Sequence, residues 1–101
     1  MSNAEALRMF RIAYHDYDKK DVAENSGISS DYLSKLERGY KHITPSVLWK
    51  LAGFYNVSTI SLTRFFRELD IYDISKPKDY QRALIKISTF FLENQLAGNW
   101  L

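Results

Sequence analysis

Cysteine is absent from this 101-residue chain, which excludes a disulfide scaffold, a thiolate zinc site and a cysteine nucleophile. The same absence suits a reducing compartment, and a cytoplasmic location is expected. Histidine is nearly absent too: His15 and His42 are the only two, and they lack the short helical spacing of a metal pair. There is no glycine-rich phosphate loop, and Asp16, Asp18 and Asp21 read as capping and solvated carboxylates rather than a catalytic pair. No enzyme is expected, with no catalytic residue, no metal and no cofactor. No apolar run reaches the roughly 18 residues needed to cross a bilayer, and no basic-then-apolar leader opens the chain. Neither a membrane partner nor secretion is therefore expected. One-sided charge is missing as well: 14 Lys/Arg against 12 Asp/Glu leave a net charge of +2.

What remains is 46% hydrophobic and 15% aromatic, enough for one small core. A domain of this size buries only about 60 to 70% of its unfolded surface, so a stabilising association such as dimerisation is expected. Met1-Ser-Asn-Ala4 reads as a short disordered lead, with Ser-Asn-Ala resembling a cloning remnant.

The periodicity predicts helices throughout. Leu7, Phe10 and Tyr14 recur at three and four residues, giving a first amphipathic helix that ends near His15. Thr44 or Ser46 opens a later helix around Pro45, with Val47, Leu48, Leu51, Ala52 and Tyr55 inward and Asn56 as its stop. Ser58 caps the next, which bears Ile60, Leu62, Phe65, Phe66 and Leu69. After a linker, Pro77 suits the first position of a final helix that runs to about Leu96, with Gly98 as terminator.

Two short helical patterns around one glycine occupy residues 18–39. Asp18 is the N-cap of the first, whose Val22 and Ala23 turn inward. Gly27 ends it, because glycine takes a positive backbone angle without penalty, and Ile28 plugs the corner between the two helices. Ser29 caps the second helix. Leu33 and Leu36 face the core, leaving Ser30, Asp31, Tyr32, Ser34 and Lys35 outward until Gly39 closes the helix after Arg38. This is the spacing of a DNA-reading helix-turn-helix.

Charge is distributed in keeping with that geometry. Residues 1–74 balance at ten Lys/Arg and ten Asp/Glu, but from Lys35 to Lys50 four cations face only Glu37. A solvated loop is the plain alternative for this local excess.

At these positions the chain resembles the XRE family of Cro and lysogeny-repressor type regulators. The resemblance rests on Val22-Ala23, Gly27-Ile28-Ser29, Ser34-Lys35-Leu36-Glu37-Arg38-Gly39, Pro45-Ser46, Leu51-Ala52 and Asn56-Val57-Ser58, and covers roughly residues 6–70. It implies an all-α, five-helix, lambda-repressor-like DNA-binding domain over residues 1–70, here followed by a linker at 71–76 and an additional C-terminal helix within 77–101. It also implies that Glu37 pairs with an arginine of the first helix, here Arg11. The family often has glutamine at the starts of both motif helices, where this chain has Lys19 and Ser30. Base readout by glutamine therefore does not carry over.

Base contact is assigned to Ser30, Tyr32, Ser34 and Lys35, and phosphate contact to Lys19, Lys20, Arg38, Tyr40 and Lys41. Gly27 and Ile28 form the structural turn. Tyr32 either touches a thymine methyl or a phosphate, the preferred reading, or shields the corner. Asp31 is better explained by the helix dipole than by a cytosine contact.

The final helix carries Tyr80, Ala83, Leu84, Ile87, Phe90 and Phe91 on one broad stripe, with Ile85 and Leu92 off it. That is more apolar than one face requires. Leu84, Ile87 and Phe91 are accordingly expected to serve dimerisation; simple intrachain packing, helped by Trp100 and Leu101, is the alternative. The expected function is sequence-specific binding of double-stranded DNA by a homodimeric repressor. The competing expectation is an antitoxin or anti-repressor that grips a protein partner, such as a toxin, through this helix and regulates its own promoter.

Overall fold

Ser2 starts the fold. Its hydroxyl accepts from the Glu5 amide while the Glu5 carboxylate accepts from the Ser2 amide, a reciprocal capping box that opens α1 (Asn3–Ala13). The amine of Met1 donates to the carbonyls of Leu69, Asp70 and Tyr72. Met1 to Ala4 are thus ordered, against the expectation of a disordered lead; the Ser-x-x-Glu signal outweighs the tag-like composition. The computed structural model describes residues 1–14 and 18–98, with side chains through Asn94. The expected helix end near His15 lies outside those residues, and α1 itself closes at Ala13 with Tyr14 as cap.

Five further helices follow: α2 (Lys19–Ser26), α3 (Ser30–Glu37), α4 (Pro45–Tyr55), α5 (Thr59–Glu68) and α6 (Pro77–Gly98). Each of α2 to α5 starts on a side-chain cap, from Asp18, Ser29, Thr44 and Ser58 in turn. Asn56 ends α4 at φ 58°, a left-handed position that asparagine tolerates better than most residues. The linker expected between α5 and α6 is not a loose tether. Leu69–Ile71 forms a 3-10 turn, Asp73 bonds Ser75, and Tyr72 and Ile74 pack on the core.

One apolar cluster holds all six helices, and Phe10 sits near its middle. Its ring lies 5.4 Å from Phe91 and 5.9 Å from Tyr55, edge-on to both, and 5.3 Å from Phe66. Phe91 stacks on Tyr55 at 4.9 Å, and Phe90 lies flat on Phe65 at 4.0 Å. Ala83, Ile87 and Phe91 of α6 are buried in this same cluster. Ile87 and Phe91, expected at a dimer interface, are therefore occupied within the chain, and Leu84 is half-buried against the core. The physical reason is geometric: a helix laid across α1 satisfies its strongest apolar stripe internally. Ile85 and Leu92 stay exposed, at 67% and 58%.

Leu48, expected on the inward side of α4, is only partly buried; Ile60 is 64% exposed on the outer face of α5, and α6, expected to run to about Leu96 with Gly98 as terminator, extends through Gly98. Trp100 and Leu101 lie outside the described residues.

Candidate nucleic-acid interface

The interface is built by α2 and α3. The Asp18 carboxylate accepts from the Asp21 amide at 2.8 Å, which lowers its pKa below the usual carboxylate value, the backbone N–H of Asp21 being the largest cause. Gly27 takes φ 79° and ψ 13°, releasing the chain from α2. Ile28 is buried, its amide donating to the Ser26 hydroxyl at 3.2 Å. Ser29 then accepts from the Tyr32 amide at 3.1 Å and opens α3.

The far end of α3 closes with paired backbone bonds. Gly39 at φ 80° lets its own N–H reach the Leu36 carbonyl and the Tyr40 N–H reach the Lys35 carbonyl, at 3.1 and 2.9 Å. These are the two bonds of a Schellman motif, and they satisfy carbonyls the helix leaves unpaired.

Leu33 and Leu36 anchor the inner face of α3. Glu37 adds an ionic anchor, its carboxylate accepting from Arg11 Nε at 3.1 Å and Nη2 at 3.0 Å. The pair joins α1 to α3, and the hydrogen bonding of Arg11 to the Glu37 carboxylate raises the Arg11 pKa above its usual value. Tyr55 is buried in the same neighbourhood, and burial above all pushes its phenol well up.

The outer face places the expected residues unevenly. Ser30, Lys35 and Arg38 are exposed, but Ser34 and Tyr32 are half-buried, with Tyr32 packed against the core. Both readings of Tyr32 thus draw on one side chain: part of it closes the corner and part reaches solvent. Lys35 pairs with Asp31 at 3.0 Å, one turn away. The expected base contact by Lys35 must therefore compete with an intrahelical partner. Of the phosphate candidates, Lys20 pairs with Glu24 at 4.0 Å, Lys19 is half-buried, and Arg38, Tyr40 and Lys41 are exposed in and beyond the closing turn.

An open depression of about 330 Å³ joins this face to the start of α4, lined by Ser29, Tyr32, Thr44, Ser46 and Lys50 among others. Ser46 and Lys50 were not among the expected site residues. Their signal was the four-residue spacing within the cation-rich stretch from Lys35 to Lys50. Among the described residues, no group of three or more metal-ligating side chains is gathered, and no helix is long and apolar enough to cross a membrane.

A family model for the helix-turn-helix matches residues 7–62, more than half of the chain, and ends within α5. No curated protein and no solved structure matches.

Proposed function

Because the chain belongs to the Cro and phage-repressor (XRE) type of helix-turn-helix DNA-binding transcription regulators, we propose that it represses a promoter by occupying a two-half-site operator as a homodimer. The observation carrying this reading is α3 itself, whose buried Leu33 and Leu36 leave Ser30, Lys35 and Arg38 in solvent between two left-handed glycines. Such a helix enters the major groove, while the amides and cations at the start of α2 and in the loop after α3 hold phosphates. Ser30, Tyr32, Ser34 and Lys35 read bases; Lys19, Lys20, Arg38, Tyr40 and Lys41 position the backbone.

Dimerisation is assigned to the outer strip of α6, centred on Ile85 and Leu92, with Leu84 at its edge. These apolar side chains retain exposed surface after the core is complete. The second reading, an antitoxin or anti-repressor, uses the same strip for a different protein. Selection of preferred sites from a random duplex library with the purified chain tests the proposal. Two-fold symmetric winners with half-sites one helical turn apart support a dimeric repressor, whereas asymmetric single sites or no enrichment overturn it.

A further inference from the structure

A trough runs along α5, formed by two open depressions of about 260 and 280 Å³ that share Leu48, Thr63 and Arg67. Its floor is apolar, with Ile43, Leu48 and Phe66 packed on the core and Ile60 standing exposed at one end. The Thr63 hydroxyl donates back to the Thr59 carbonyl at 2.8 Å, so its proton is used within the helix. Arg64 and Arg67 flank this floor. Both are exposed, and among the described residues neither forms an ion pair, whereas Lys20, Lys35, Arg82 and Lys86 each have a carboxylate partner.

Ile60, Arg64 and Arg67 follow a four-then-three spacing and so share one face of α5, spread over about 10 Å at 1.5 Å per residue. An apolar floor edged by two unpaired guanidinium groups is complementary to a helix with apolar residues on one face and carboxylates on successive turns. Each planar guanidinium fork suits a carboxylate bidentately. A phosphodiester backbone fits less well, because it gains nothing from the apolar floor, whereas a helix can turn its carboxylates toward Arg64 and Arg67 and away from Asp70 at the trough's other end. We propose that this trough is the docking site for an acidic amphipathic helix of a partner protein. It uses none of the residues assigned to DNA, so it stands or falls separately from operator binding.

The test is selection from a displayed library of helical peptides about 15 residues long, randomised on one face, against the full chain. Winners should combine apolar anchors with Asp or Glu on consecutive turns, and should shift the NMR signals of Ile43, Leu48 and Ile60. Their affinity should fall about tenfold or more in the Arg64→Glu/Arg67→Glu variant and fall again in about 0.5 M salt. Arg64→Lys/Arg67→Lys should retain part of it, and neither exposed pair of changes should alter the melting curve. No winners, winners without acidic residues, or winners indifferent to these variants would overturn the proposal. So would a loss of nonspecific duplex affinity in the Arg-to-Glu variant, which assigns the trough to phosphate, or dissociation of a homodimer, which assigns it to a second copy.

Discussion

Arg11 near the end of α1 and Glu37 at the end of α3 are joined by two hydrogen bonds, with only 15% and 3% of their side chains exposed. The pair fixes the closing end of the candidate recognition helix against the helix that carries Phe10. Charged side chains with so little exposed surface are stabilising only while both partners stay.

Removing one partner tests this dependence. Glu37→Ala removes the carboxylate that accepts from both Nε and Nη2 of Arg11, and Arg11→Ala strands a carboxylate, so each should lower stability in denaturant unfolding, by up to about 3 kcal/mol for the stranded carboxylate. Arg11→Met/Glu37→Leu together should recover most of that loss, since no lone charge remains. Recovery of stability without recovery of DNA affinity would show that the pair also sets the angle of α3. Equal stability in both single variants and the parent would remove the tether from the account.

A Cβ added at Gly27 meets nothing within 4 Å, so the position is not crowded at that atom. The main cost of substitution is the left-handed backbone at φ 79°. Gly27→Val should therefore lower stability by more than about 1 kcal/mol, while Gly27→Asn should cost noticeably less because asparagine visits this region more readily. Matching melting temperatures for the two variants would argue against a backbone origin.

The pairing of Lys35 with Asp31 turns one base-contact assignment into a competition. Asp31→Asn frees the lysine and removes a negative charge facing DNA, so it should tighten duplex binding. Lys35→Ala should cost about 1 to 3 kcal/mol on the selected site and much less on random duplex. The phosphate group of residues behaves differently: alanine at Lys19, Lys20, Arg38 or Lys41 should weaken both duplexes alike and flatten the salt dependence by about one unit per contact. Anisotropy titrations at several salt concentrations separate the two patterns. A Lys19→Ala variant that changes base preference with an intact salt slope would contradict its positioning role.

Much of this was legible because the signals were local. Asp18, Ser29 and Ser58 are caps by chemistry, Gly27 and Gly39 are stops by backbone freedom, and Leu33 with Leu36 declares which side of α3 is inward. The inaccurate readings concern what neighbours decide. The pattern of α6 separates Ile87 and Phe91 on the stripe from Ile85 and Leu92 off it, but it does not say whether that stripe meets the chain's own core or a second chain; the crossing over α1 decides that. The apolar character of Ile60 does not say which way it faces; the burial of Leu62, Phe65 and Phe66 sets the rotation of α5 and leaves it outside. Ser2 and Glu5 are the exception, a local capping-box signal set within a tag-like composition. At the site, Lys35 and Asp31 have pairing spacing in the sequence, but the ion pair becomes a fact only with their rotamers.

Asp18 gives the stability a specific acid limb. Its folded pKa is depressed, chiefly by the Asp21 backbone N–H, so the folded state favours the ionised form. The resulting stabilisation is fully present above the ordinary value of 3.8 and is lost as pH falls through the lower folded value. Asp18→Asn keeps a competent N-cap but cannot titrate, so its stability should fall less steeply below about pH 4 than the parent's. Chemical denaturation at a series of acid pH values reads the difference. Parallel curves would mean that the cap contributes nothing through its charge.

The outer and inner faces of α6 make opposite predictions. Phe91 touches Phe10, Tyr14 and Tyr55, so Phe91→Ala opens a cavity among these three aromatic rings and should cost about 3 to 5 kcal/mol. Ile87→Ala should cost about 2 to 5 kcal/mol for the same reason. A chain ended at Lys76 loses Ala83, Ile87 and Phe91 from the core together, and it should unfold rather than persist as a folded monomer. Truncation therefore cannot isolate dimerisation. Ile85→Glu/Leu92→Glu can, because both side chains are more than half exposed and their replacement should leave the melting temperature nearly unchanged. Sedimentation of this variant at micromolar concentration should show a monomer where the parent is a dimer, and specific DNA affinity should drop by on the order of 100-fold as the two recognition helices lose their linkage. Nonspecific binding by each monomer should survive. An unchanged dimer in this variant would move the self-association surface elsewhere, and a monomeric parent would leave the outer strip to a protein partner.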